Sequence, residues 1–145
     1  MTTGPRVGYV PGVFDLFHVG HLNVLRQARA ACDVLVAGVV SDELCEQVKG
    51  IRPFVPLEER IEIVDSIGIV DATYAETTLD RTDAWREVGF HRVFKGDDWR
   101  GSPRGIDLEA RMAPLDVEVV YIPYTAHTSS TQLRAAIGSA TRSAS

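Results

Sequence analysis

Cysteine is almost missing from this chain. Cys32 and Cys45 are the only two among 145 residues, too few for the disulfide framework of a small secreted module. Long apolar runs are missing as well, so neither a signal core nor a membrane span is expected. No cluster of Lys and Arg stands against the formal charge of −5, which repels a phosphate backbone at long range, so nucleic acid is not an expected partner. Internal repeats are lacking too. What remains is a cytoplasmic protein with a single domain over residues 1–137 and a flexible polar tail over 138–145.

Two textures alternate along that domain. Short runs rich in Val, Tyr and Ile, at Val7–Val10, Val34–Val40, Arg92–Phe94 and Val117–Ile122, have the composition of buried strands. Helical spacing lies between them: His21–Ala31 sets Leu22, Leu25 and Ala28 on one side, and Pro56–Ser66 repeats Leu57, Ile61 and Val64 behind two first-turn acids, Glu58 and Glu59. Further helices are expected over Thr82–Val88 and Ser130–Ile137. The alternation predicts an α/β fold, a parallel sheet with helices on both faces.

Against that frame the stretch Gly12-Val-Phe-Asp-Leu-Phe-His-Val-Gly-His21 falls where the first strand gives way to a helix. Ligands of open α/β sheets gather at such carboxyl ends. Gly12 is expected to let the backbone turn, and the new helix offers free N–H groups and the positive end of its dipole to a phosphate. His18 and His21, at i and i+3, share one face and can each donate an Nε2–H to phosphate oxygens, while Gly20 leaves room for a nucleotide. Zinc is the competing reading, and it lacks a third ligand at any suggestive spacing. A purely structural helix cap is the other.

Three more clusters favour phosphate. Lys49-Gly-Ile-Arg-Pro53 reads as a loop after the second strand, either a solvated turn or a cationic arm over a polyphosphate. In Phe94-Lys-Gly-Asp-Asp-Trp99, Gly96 can bring backbone beside a base or ribose and Asp97 can accept a proton from it, with Asp98 as a turn former. Thr128-Ser-Ser-Thr-Gln-Leu-Arg134 opens the last helix with more hydroxyls than one N-cap uses, and Arg134 lies one turn beyond Ser130.

Taken in order, Gly12-x-Phe-Asp-x-x-His-x-Gly-His21, Lys49, Glu59-Arg60, Gly96-Asp-Asp-Trp99 and Ser129-Ser-Thr131 resemble the cytidylyltransferase family, in particular its glycerol-3-phosphate cytidylyltransferase type. The resemblance runs from about Val7 to Ile137. It implies a Rossmann-like nucleotidyltransferase domain, usually a homodimer, that joins a nucleoside triphosphate to a phosphorylated alcohol and releases pyrophosphate with Mg²⁺. CTP and glycerol 3-phosphate or another polyol phosphate are the substrates it points to. It also assigns Val13 and Phe14 to backbone contacts with the nucleotide, His18 and His21 to the triphosphate, Lys49 to its phosphates, Asp97 to the nucleoside, and Thr128, Ser129, Ser130 and Thr131 to the β and γ phosphates.

The expected chemistry is in-line attack by an acceptor phosphate oxygen on the α-phosphorus. His18 and His21 stabilise the transition state, Lys49 and Arg134 neutralise charge, and Mg²⁺ bridges phosphate oxygens with Asp15 as a candidate neighbour. Asp15 and Arg52, with Trp99, Arg100, Arg104, Tyr124 and His127, are the candidates for the acceptor wall. Departures from the pattern fall on Tyr124, where the glycerol-phosphate enzymes carry arginine, on His127, and on Arg52 in a loop usually richer in lysine. Ser129-Ser-Thr-x-x-Arg134 and Arg52-Pro-x-x-Pro-x-Glu-Glu-Arg60 are similar to adenylyltransferase motifs. An ATP-dependent adenylyltransferase is thus the alternative reading, and a non-catalytic nucleotide sensor a second one.

Overall fold

The computed structural model describes residues 4–123 and 129–144. Strands β1 (Val7–Gly12), β2 (Val34–Val40), β3 (Ala72–Glu76), β4 (Arg92–Gly96) and β5 (Glu118–Ile122) pair in parallel, in the order β3-β2-β1-β4-β5. Between and after them run α1 (Val19–Arg29), α2 (Asp42–Lys49), α3 (Leu57–Asp65), α4 (Arg81–Val88), α5 (Pro103–Met112) and α6 (Ser130–Ala144). The expected α/β architecture is present, and side chains that alternate along the strands build two cores. Val10, Leu35, Ala37, Val39 and Phe94 pack with Leu25 and Ala28 of α1 and Val64 of α3. Tyr9, Val36 and Val93 pack on the other face with Ala84 of α4 and with Leu108 and Met112 of α5. Burial on both faces is why the strands read as near-continuous apolar runs.

Strand order reverses between β1 and β4, the switch point where such sheets hold ligands. The two strands pair only at Gly8 with Arg92 and Tyr9 with Val93, whereas β1 follows β2 through to Gly12. Pro11, with no N–H to donate, lies in the stretch where β1 and β4 have parted. A gap at the carboxyl edge follows.

Three elements are absent from the expected pattern. Edge strand β3 pairs on one side only, and its sequence Ala-Thr-Tyr-Ala-Glu carries little apolar signal. Helix α5 starts on Pro103 and includes Gly105, which reads as loop; yet a Cβ at Gly105 would lie 1.9 Å from the Trp99 carbonyl oxygen, so glycine is what this approach permits. Helix α2 takes in Lys49, so the expected loop begins only at Gly50, whose φ of 74° ends the helix in the left-handed region. At the far end α6 runs past Ile137 to Ala144, and the polar segment from Gly138, expected to fray, continues the helix.

One buried cation ties the carboxyl-edge loops together. Arg60 of α3, 1% exposed, donates from Nη1 to the carbonyls of Val13 and Val40 (2.7 Å each), from Nε to that of Val55 (2.7 Å), and pairs through Nη2 with Asp42 (2.5 Å). It therefore joins the β1–α1 loop, the end of β2, the first turn of α2 and the entry to α3. Arg60→Met takes the donor from three carbonyls and from Asp42 Oδ1, leaving Asp42 only the Leu57 N–H and a distant Arg52. We expect it to lower unfolding free energy by about 3–5 kcal/mol in urea titrations, the range for breaking a buried pair; an unchanged midpoint would contradict the bracing role.

Candidate active site

A cleft of about 980 Å³ opens over the gap between β1 and β4. Its floor is the β1–α1 loop, held in an uncommon backbone shape. Phe14 and Leu16 have φ of 55° and 52°, which bulky residues rarely adopt and which costs about 1–3 kcal/mol at each such position. Gly12 is not the turn residue expected of it. It still belongs to β1, and its missing side chain makes way for the Phe14 ring, 3.1 Å from where a Cβ would sit. Asp15, between the two strained residues, is fully buried and accepts from the N–H groups of Phe54 (2.9 Å) and Val55 (3.0 Å) and from Nη2 of Arg134 (3.1 Å).

Burial alone would push the Asp15 carboxyl upward; the two backbone N–H groups and the Arg134 guanidinium outweigh it and hold the group below the usual carboxylate range. Both oxygens are occupied. Asp15 therefore braces the floor of the cleft, which it also lines, with its carboxylate committed to protein donors.

The two histidines open α1 as a capping box made of imidazoles. Gly20 N–H donates to Nδ1 of His18 (3.0 Å), and His18 N–H donates to Nδ1 of His21 (3.3 Å). Because each Nδ1 accepts, the proton of each neutral ring sits on Nε2. The structural reading of His-x-x-His is present in these caps, and it leaves the proton on Nε2, which in His18 lies 3.3 Å from the Ser130 hydroxyl oxygen. The rings stack with centroids 4.0 Å apart, and both line the cleft. Burial, followed by the neighbouring His18, brings His21 down to about 4, and burial lowers His18 as well. At neutral pH both are uncharged donors.

Across from them α6 begins. Ser129 Oγ caps it, accepting from Gln132 N–H (3.1 Å), while the Ser130 hydroxyl donates to the Asp15 carbonyl (2.7 Å) and lies 3.3 Å from Nε2 of His18. Thr131 is exposed on the cleft wall. Neither α1 nor α6 has an acidic residue in its first turn, nor has α5, whereas α2, α3 and α4 do. The starts of α1 and α6 therefore bring positive dipole ends to the cleft with no first-turn acid beside them, the usual berth of a phosphate.

The remaining expected residues divide. Val13, Phe14, Gly20, Lys49, Gly96, Trp99 and Arg134 line the cleft with the histidines. Arg52 does not; it lies on the surface against Glu46 (3.1 Å) and Glu43 (3.4 Å) of α2. Asp97 is exposed outside the cleft, and its neighbour Asp98 lines it instead, a placement set by the tight turn over Asp97–Trp99. Tyr124, His127 and Thr128 lie outside the described residues. Arg104, a candidate for the acceptor wall, is on the cleft wall, while sequence reasoning passed over Glu76, Arg81 and Lys95, which line it too. For Lys95 a signal existed, since it stands next to Gly96 at the carboxyl end of a central strand. Among the described residues no cluster of His, Cys, Asp and Glu could by itself hold a metal ion, and no helix is long and apolar enough to cross a membrane.

Two helix N-termini without first-turn acids, capping imidazoles and a wall carrying Lys49, Lys95 and Arg104 thus meet at the switch point of an α/β sheet. Residues 9–136 match the cytidylyltransferase-like family model, and the chain belongs to that family, within the HxGH nucleotidyltransferases. It is similar to the bifunctional protein HldE of Hyphomonas neptunium (35% identical over 133 residues, 90% of this chain and 26% of that one). It also resembles ethanolamine-phosphate cytidylyltransferase of Arabidopsis thaliana (42% over 107 residues, 70% and 25%) and FAD synthase of Thermococcus onnurineus (36% over 115 residues, 78% and 76%). The chain spans about a quarter of the length of the first two. Its fold is that of a lipopolysaccharide core biosynthesis protein from Thermoplasma volcanium (TM-score 0.72, 21% identity, 86% of this chain and all of that one).

The lowered carboxyl of Asp15 gives a pH signature. Its stabilisation is complete above the unfolded value of about 3.9 and fades as pH falls through the lower native value. Wild type should exceed Asp15→Asn in urea midpoint by a constant margin from pH 8 to 5, and the margin should shrink below about pH 4. A margin unchanged at pH 3, or none at pH 7, would remove Asp15 from its bracing role.

Proposed function

We propose that the chain transfers CMP from CTP to a phosphorylated alcohol, a polyol phosphate such as glycerol 3-phosphate, and releases pyrophosphate. The observation that carries this reading is the pair of Nε2–H donors on His18 and His21, held at the start of α1 and opposite the start of α6. Such donors suit the oxygens of a triphosphate whose charge moves toward the leaving pyrophosphate. An acceptor phosphate oxygen attacks the α-phosphorus, a new P–O bond forms, and the bond to the β-phosphate bridging oxygen breaks on the far side. A phosphate monoester is already largely anionic at neutral pH, so no strong base is needed, in keeping with imidazoles of depressed basicity. Lys49 and the cleft edge of Arg134 neutralise the phosphates.

Mg²⁺, when bound, supplies further neutralisation of phosphate charge. The ion would be held chiefly by the triphosphate oxygens, as is common for Mg²⁺, with Asp15 braced beside it by Phe54, Val55 and Arg134. A second reading, transfer of AMP from ATP, draws support from the FAD synthase relative, named for a dinucleotide of adenine.

The test crosses CTP and ATP against phosphorylated alcohols and follows pyrophosphate. We expect release with CTP and a polyol phosphate; release with ATP alone would move the assignment to the second reading. His21→Asn separates the two roles of the imidazole, since its Oδ1 can replace the capping Nδ1 but nothing replaces Nε2–H. It should fold normally and turn over on the order of a hundredfold more slowly, as when an oxyanion donor is removed. Near-normal turnover by folded His21→Asn would sink the donor role.

A further inference from the structure

Past the histidines, the cleft wall toward α4 and α5 carries a group of side chains that the reading above leaves without work. Lys95, at the carboxyl end of β4, places Nζ 4.0 Å from the centre of the Trp99 ring. Arg81 and Arg104 stand over the same ring at 5.7 and 5.8 Å. Arg81 is paired with buried Glu76 (3.2 Å), and Glu76 in turn accepts the Tyr9 hydroxyl (2.5 Å), which passes over Gly38 where any Cβ would lie 1.9 Å from it. That arrangement is built from three adjacent strands. It holds Arg81 in place while Lys95 and Arg104, among the described residues, have no carboxylate within ion-pair distance.

Trp99 is the aromatic face that an ammonium head group would seek. Its own protein already occupies that face with cations. Burial, followed by the charge of Arg81, brings Lys95 down to about 7, with Glu76 opposing the fall, Lys49 adding to it and Asp98 opposing it. An anion or a ring of hydroxyls beside Lys95 favours its charged form, and a second ammonium does the reverse.

Building on the proposed transfer to a phosphorylated alcohol, we infer that Lys95, seated on Trp99 with Arg104 beside it, is the specificity-determining residue of the acceptor subsite: it admits acceptors with anionic or hydroxylated head groups and excludes those with an ammonium. The consequence sets this chain apart from its ethanolamine-phosphate cytidylyltransferase relative, despite 42% identity over 107 residues.

Binding can be read without turnover. With Trp85→Phe as background, Trp99 is the one remaining tryptophan, and its fluorescence reports titration with glycerol 3-phosphate and with ethanolamine phosphate in the presence of a non-hydrolysable CTP analogue and Mg²⁺. We expect glycerol 3-phosphate to bind at least tenfold more tightly. Lys95→Met should bring the two affinities to within about threefold of each other, Lys95→Arg should restore the preference, and the analogue's own affinity should stay within twofold throughout. Equal binding of the two acceptors by the background protein would overturn the inference, whether or not Lys95→Met folds, and so would a preference that survives in folded Lys95→Met. If the preference behaves as expected but no pyrophosphate is released, the subsite stands and the proposed transfer fails; release with an unselective subsite is the opposite result.

Discussion

Everything at the carboxyl edge hangs from one carboxylate that water cannot reach. Asp15 binds the N–H groups of Phe54 and Val55 and the guanidinium of Arg134, while its own carbonyl takes the hydroxyl of Ser130. Those four bonds draw the loop before α3 and the first turn of α6 onto the β1–α1 loop, and they oppose the strain at Phe14 and Leu16 on either side. Charge-assisted bonds in a dry setting contribute about 1.5–3 kcal/mol each, enough to offset positive φ at two residues. Arg60 secures the same loops from below through Val13, Val40 and Val55. The histidines inherit their position from this scaffold, so donors are aimed before any substrate arrives, which is what electrostatic catalysis requires.

A chain of net charge −5 is an unexpected host for a triphosphate. Distribution resolves the conflict. The starts of α1, α5 and α6 carry no first-turn acid, and of the carboxylates on the cleft Asp15, Glu76, Asp80 and Asp107 are each paired with an arginine. Lys49, Lys95 and Arg104 line the cleft with no carboxylate in ion-pair range among the described residues. Net charge acts over long distances and is screened beyond about 10 Å at moderate salt, whereas bare dipole ends and desolvated cations act at contact. Local arrangement decides what binds.

The parts legible in the sequence were those with a strong local signature. Doubly buried β1, β2 and β4 showed as apolar runs, α1 and α3 by their spacing, and the His-x-Gly-His block by its place after a strand. The misses have physical causes. Edge strand β3 reads Ala-Thr-Tyr-Ala-Glu with no aliphatic run, unlike the other edge strand, β5, and α5 hides behind the proline and glycine that its first turn needs. Asp15 showed in the sequence only as a carboxylate beside two histidines. Its partners come from residues 39 to 119 positions away, and no local pattern could reveal them. Arg60 was quoted as part of a motif, but its four-way bracing is a tertiary fact. Lys95 had a positional signal at its strand end; its seat on Trp99 became visible only once the turn after β4 was folded.

The most direct check on this account is the ring-nitrogen NMR spectrum of the protein at pH 7, by long-range ¹H–¹⁵N correlation, before and after CTP and Mg²⁺ are added. The capping geometry predicts that His18 and His21 are both neutral with the proton on Nε2, and that the Nε2 resonances of both move when the nucleotide binds. A proton on Nδ1 in either ring, or an imidazolium at that pH, would contradict it.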